Sequence, residues 1–183
     1  MPAPHVRGRV RAMHGEFSGG TVASLSATMS TLREKPELIN VLANPFSLSG
    51  GFKGPDQLDD SKALFDEKLE MWITPFIMAS INTKNIHRSN ALMGHAYGED
   101  FCYDEMSIAG SGDEGKARAE FMATLNPLVG DDMPAPGEGP SQESRENGNF
   151  NVLFCADMPN GETLNATVTG DMDPGYGSTS KMI

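Results

Sequence analysis

Residues His5 to His14 (HVRGRVRAMH) alternate, with Val6, Gly8, Val10 and Ala12 on one side and Arg7, Arg9, Arg11 and Met13 on the other. That period of two predicts a strand with one basic side. A glycine turn, Gly15 to Gly20, leads into TVASLSATMSTLRE, where Val22, Leu25, Met29 and Leu32 recur at helical spacing. Pro36 suits the first turn of a short helix through Leu42, and Asn44-Pro45 ends it. Pro45 to Ser61 has three glycines, two prolines and no period, which predicts a long surface loop. A strand is expected around Ala63 to Leu69, and a buried strand over Trp72 to Ala79 in which Pro75 signals a sheet edge or a bulge.

Further on, Ile86, Asn90 and Met93 mark a helix face within Lys84 to Tyr97, and Phe101 to Ile108 alternates like a strand. Ala117, Phe121 and Leu125 predict a helix over Lys116 to Leu125. Gly130 to Gly139 is an acidic Pro/Gly loop, and Pro140 to Glu146 reads as a short helix begun by its proline. NVLFCADM and ETLNATVTG, joined by Pro159-Asn160-Gly161, form a hairpin pattern. Asp173-Pro174 then starts a helix, with Asp at the N-cap and Pro at the first helical position. Mixed strands and helices with a C-terminal hairpin define an α+β (mixed α/β) fold, a sheet covered by helices.

The charge of −11 opposes nucleic-acid binding, because phosphates are held by clustered Lys and Arg. The longest apolar run, Met71 to Ile81, is about half of what a spanning helix needs, so no transmembrane segment is expected. Cys102 and Cys155, far apart and outside CxxC spacing, read as reduced thiols of a cytoplasmic protein. Twelve methionines suit either irregular core filling or an adaptable apolar cavity.

Two glycine clusters invite a phosphate reading. Gly15 to Thr21 (GEFSGGT) nearly matches a P-loop, but Thr21 stands where the lysine is required; its amides at a helix start suit a carbonyl or an anion instead. Gly110 to Gly115 (GSGDEG) is a literal GxGxxG, yet Asp113 and Glu114 would lie against the pyrophosphate. His5, His14, His87 and His95 have no metal-ligand spacing and no GxSxG elbow exists, so neither a metal site nor a serine hydrolase is expected.

Five ordered pieces carry a family resemblance: Phe17 to Ser24 (FSGGTVAS), Pro75-Phe76 through Ile86 to Leu92 (IHRSNAL), Tyr97 to Glu105 (YGEDFCYDE), Gly139 to Arg145 (GPSQESR), and Gly170 to Thr179 (GDMDPGYGST). Together they resemble the saccharopine dehydrogenase-like oxidoreductases, the group that includes the trans-acting enoyl reductases. The resemblance implies an N-terminal Rossmann domain followed by an α/β domain that shapes the substrate pocket. This chain resembles only the second part: residues 1–172 as the substrate-binding domain and 173–183 as the start of a cut-off helix. The implied activity is NAD(P)-dependent reduction of a polarised C=C (enoyl) or C=N bond in lipid or glycolipid metabolism. NADP or NAD would be bound mainly outside the chain, which alone is expected to be inactive. The substrate would be lipid-linked or amino-acid-derived, and the protein cytoplasmic or peripheral to membranes or lipid droplets; an apolar face where the Rossmann domain should pack makes self-association as a homo-oligomer a further expectation.

Such a reaction needs a group that polarises the acceptor and a proton source. Ser18, Gly19, Gly20 and Thr21 are the substrate-binding candidates. Arg88 is a further polarising group, and Tyr97 and Tyr103 are the catalytic phenols, with His87 and His95 behind them. A non-catalytic lipid-binding or protein-interaction module is the alternative.

Overall fold

The structure, a computed structural model, describes residues 2–125 and 133–182. Six strands form a mixed sheet, and in chain order the elements are β1 (His5–His14), α1 (Gly19–Glu34), a 3₁₀ turn (Pro36–Leu38), α2 (Ile39–Ala43), β2 (Leu64–Asp66), β3 (Met71–Pro75), α3 (Ala79–Leu92), β4 (Cys102–Gly110), α4 (Gly112–Thr124), α5 (Gln142–Asn147), β5 (Asn149–Asp157), β6 (Thr163–Asp171) and α6 (Gly177–Met182). Strand order is β2-β3-β4-β1-β5-β6, with β1 parallel to β4 and both β2/β3 and β3/β4 antiparallel. The fold is α+β, with the C-terminal hairpin in place. Part of the acidic loop expected over Gly130 to Gly139 lies outside the described residues.

The chain divides into two compact units, one of Met1–Arg11, Leu42–Leu125 and Val152–Thr167, the other of Ala12–Val41, Asn126–Asn151 and Val168–Ile183. In the first unit, the basic side of β1 points inward. Arg9, 2% exposed, donates from Nε to Asp66 (2.8 Å) and from Nη1 to Asp104 (2.5 Å). Arg7 donates to Asp157 (2.9 Å), and His5 Nε2 meets Asp104 (2.8 Å). The parallel register sets Arg7 beside Asp104, so the alternation that marks a basic side also aims it at a row of aspartates. Burial opposes the charge on Asp66, but the hydrogen bond and charge of Arg9 outweigh it and hold its pKa below the ordinary value.

Three expectations shift here. Pro75 is the last residue of β3, a strand flanked on both sides by β2 and β4, and the irregularity is a register shift between Trp72 and Ile73. The helix expected from Lys84 begins at Ala79 and buries Ala79, Thr83, His87 and Asn90, while Met93 is exposed. Its buried row is polar because it meets polar partners: His87 Nε2 pairs with Gln57 Oε1, and Asn90 donates to the Gly98 carbonyl and accepts from the Tyr97 amide. α4 seats Gly115 and Ala119, and Thr74 donates to the Ala119 carbonyl, leaving Phe121 and Leu125 exposed.

The hairpin turn has a defined chemistry. Gly161 N–H donates to the Met158 carbonyl, Met158 N–H donates to the Glu162 carbonyl, and Gly161 takes φ 86. That is the three-residue hairpin loop whose last position needs left-handed backbone.

In the second unit, Ser18 caps α1, its Oγ accepting from Thr21 N, and Ser141, rather than Pro140, caps α5 in the same way. Only Gly19 of α1 is buried, so the Val22, Leu25, Met29, Leu32 row is not a core face. The helix expected from Asp173-Pro174 begins only at Gly177, so Asp173 is not its N-cap and Pro174 not its first residue; instead the fully buried Asp173 carboxylate holds the intervening turn, accepting from the amides of Gly175, Tyr176 and Gly177 at 3.1, 2.8 and 2.7 Å.

Candidate functional site

The second unit brings two of the resembling pieces together. The Asp173 carboxylate fixes the turn Pro174 to Gly177, and that turn projects Tyr176 toward the start of α1. There the Tyr176 hydroxyl accepts from the Ser18 amide at 3.2 Å and lies 3.5 Å from Thr21 Oγ1, itself 3.4 Å from Ser18 Oγ. Hydrogen bonding to Ser18, then to Thr21, lowers the phenol's pKa below its ordinary value. The site lies at the N-terminal end of a 16-residue helix, whose dipole favours negative charge.

The loop itself is largely committed to structure. Gly19 N–H donates to the Glu138 carbonyl, and a Cβ on Gly19 would lie 1.8 Å from the Ala135 carbonyl oxygen, so only glycine lets the 135–138 segment close on the helix start. Thr21 N–H is taken by Ser18 Oγ. Gly20 is exposed, with only Ser18 Oγ near its Cβ direction. The groups offered to a ligand are therefore hydroxyls, those of Ser18, Thr21 and Tyr176, more than a ring of amides.

Beside this loop, a cleft of about 370 Å³ is lined by Gly15, Glu16, Phe17, Met133, Pro134 and Gly139. A second, of about 320 Å³, shares Gly15 and Glu16 and is bordered by Met13, His14, Ser144, Asn147 and Gly148. Two of the chain's methionines thus line clefts, a use suited to their adaptable side chains.

The other candidates lie in the first unit. Tyr103 is buried, its hydroxyl facing Gly8 and Glu105, and burial followed by the charge of Glu105 pushes its pKa far upward. Glu105 is likewise raised by burial, against the hydrogen bonds it takes from Asn82 (2.7 Å) and Tyr103. Tyr97 is partly exposed, its ring packed on Phe101 with centroids 5.3 Å apart. Arg88 donates to the Leu48 carbonyl (3.2 Å) and makes no ion pair among the described residues. His87 packs against Phe46, and burial lowers its pKa to about 4, so it is neutral at pH 7 and has no proton to give as an acid. His95 packs against Phe52, with Nδ1 buried and without a hydrogen-bond partner among the described residues. Tyr176 is the residue that sequence reasoning passed over, although the quoted segment GDMDPGYGST contains it; the Asp-Pro-Gly turn before it was the available signal.

A dinucleotide does not fit the described glycine clusters. The GSGDEG turn has the backbone for it: Gly110 and Gly112 take φ 133 and 61, and a Cβ on Gly115 would meet Gly110 at 2.4 Å. But Asp113 and Glu114 fill the first turn of α4, where they would face the pyrophosphate, and the amides of Gly19 and Thr21 are already bonded.

Comparison with known proteins places the chain beside the trans-acting enoyl reductases. It is 33% identical over 198 aligned positions to a protein of Mycobacterium tuberculosis (strain ATCC 25618 / H37Rv) provisionally named a trans-acting enoyl reductase, covering 95% of this chain and 47% of that protein. It is 30% identical to the trans-acting enoyl reductase of Mycobacterium ulcerans (strain Agy99), over 91% of this chain and 45% of that protein. The Mycobacterium bovis (strain BCG / Pasteur 1173P2) protein of the same name is 28% identical over the same shares. The chain spans about half the length of these relatives. No family model and no solved structure matches.

Proposed function

We propose that this chain is the acyl-handling part of an oxidoreductase of the saccharopine dehydrogenase-like group that reduces the double bond of an enoyl thioester on a lipid-linked substrate. The observation that carries the reading is the Tyr176 hydroxyl, held by Ser18 and Thr21 at the start of α1 in a chain similar along most of its length to trans-acting enoyl reductases. The acyl group would lie in the cleft of Phe17, Met133 and Pro134, with the thioester carbonyl against the Ser18–Thr21 loop.

Saturating an enoyl thioester adds hydride at the β-carbon and a proton at the α-carbon, with negative charge on the carbonyl oxygen in between. Hydroxyls of Thr21 and Tyr176 donate to that oxygen, and the positive end of α1 favours the charge that builds there. Tyr176 then gives its proton to the α-carbon; the O–H bond breaks, a C–H bond forms, and the resulting phenolate is held by the Ser18 amide until solvent reprotonates it. Tyr103, buried against Glu105, has no such path, and Arg88 and Tyr97 support the first unit's own packing. NADP or NAD is the hydride source this chemistry implies, and the described glycine clusters do not fit it.

The test joins this chain to the segment of the M. tuberculosis relative that it does not match and follows NADPH oxidation driven by an enoyl thioester. Tyr176→Phe is expected to lower kcat by about 10²-fold or more, with KM for the thioester and the melting temperature little changed. A Phe variant with the parent's kcat would remove Tyr176 from the chemistry. Retained thioester binding with no oxidation by either form would favour the lipid-binding module, which the apolar cleft also suits.

A further inference from the structure

The two edges of the sheet are built differently. At one edge, β2 has three residues and its Asp66 is buried in the Arg9 pair, with Lys68 just beyond, bonded to Asp157. Short strands and flanking lysines are how natural sheets blunt an edge. At the other edge, β6 runs for nine residues, every position from Thr163 to Thr169 is exposed, and that stretch contains no charge and no proline. An edge of this length presents a row of unpaired N–H and C=O groups.

We propose that β6 pairs antiparallel with the β6 of a second copy of this chain, about a two-fold axis at Ala166. The side chains favour that register. Alternation puts Leu164, Ala166 and Val168 on one face of the strand and Thr163, Asn165, Thr167 and Thr169 on the other. Centred on Ala166, Leu164 faces the partner's Val168 and Ala166 faces its own counterpart. Thr163 faces the partner's Thr169, and Asn165 faces its Thr167. Apolar meets apolar, polar meets polar, and no like charges stand opposite one another.

The backbone agrees. Met158 N–H donates to the Glu162 carbonyl across the turn, so by the alternation of an antiparallel ladder the even-numbered residues of β6 turn their peptide groups toward β5. The odd-numbered residues turn theirs outward, as the register about Ala166 requires for hydrogen-bonded pairs of Asn165 with Thr167 and Thr163 with Thr169. Ala166 then forms a non-hydrogen-bonded pair with its twin, the closer of the two antiparallel spacings. A foreign strand would need a complementary sequence; a second copy brings it by symmetry.

Sedimentation of the full chain is expected to show a dimer. Ala166→Lys, at an exposed position, sets two lysines opposite each other and should give a monomer with an unchanged circular dichroism spectrum, whose melting temperature no longer rises with protein concentration as the dimeric parent's does. Mixing it with Ala166→Glu should restore the dimer. Independently, Ala166→Cys should cross-link to itself on oxidation, because a non-hydrogen-bonded pair holds its Cα atoms at about 4.5 Å, within disulfide reach. Leu164→Cys, which faces Val168, should not. A monomeric parent chain, a dimeric Ala166→Lys variant, or cross-linking at Leu164 but not Ala166 would each overturn the proposal.

Discussion

His87 shows how far one side chain's surroundings can move its chemistry. It lies under Phe46 and Phe101 with Nε2 on Gln57 Oε1, and burial lowers its pKa to about 4 from an ordinary 6.5. The folded chain therefore keeps it neutral where the unfolded chain takes up a proton, so the stability it contributes is full above about pH 6.5 and is lost as pH falls toward 4. Across that window the slope owed to this residue is at most about 1.4 kcal/mol per pH unit. Urea unfolding at several pH values should show a flatter dependence for His87→Gln than for the parent; equal slopes would mean that His87 titrates normally in the fold. At the same scale, Gly19 was legible as a loop glycine and Asp173 as a group that bonds the amides following it, because those roles are local, although the helix starts later than Asp173 suggested. The placement of the Tyr176 hydroxyl on Ser18 was not, since it joins positions 158 residues apart.

Most elements follow from local pattern: β1 and β6 alternate, β5 is a continuous apolar run, and Ser18, Ser141 and Asp173 mark turns. What local pattern missed is which side of an element faces inward. The expected row of α4 is exposed and that of α1 is at most half-buried, whereas α3 buries Thr83, His87 and Asn90 and β1 buries two arginines. Hydrophobic periodicity cannot find a buried face made of polar side chains, because the groups that meet His87, Asn90, Arg7 and Arg9 come from segments distant in sequence or outside the element. The Arg9 pair gives this a measurable form. Arg9→Met would leave Asp66 and Asp104 buried without their cation, and about 3–5 kcal/mol of unfolding free energy should be lost by urea titration. A loss below about 1 kcal/mol would show that water reaches the two carboxylates.

For the molecule as a whole, similarity extends over 91–95% of the chain but only 45–47% of the relatives named for enoyl reduction. Neither glycine cluster suits a dinucleotide: one carries two acids at its helix start, and the other has its amides engaged. The hydroxyl cluster of Ser18, Thr21 and Tyr176, beside a cleft of Phe17, Met133 and Pro134, instead suits the acyl partner. A ligand raises the melting temperature only by binding the folded form, so the central claim is open to one experiment. Thermal unfolding of this chain should be followed with a pantetheine-linked enoyl thioester and, in parallel, with NADPH. The thioester is expected to raise the melting temperature while NADPH leaves it unmoved; a rise of several degrees with NADPH and none with the thioester would contradict the account.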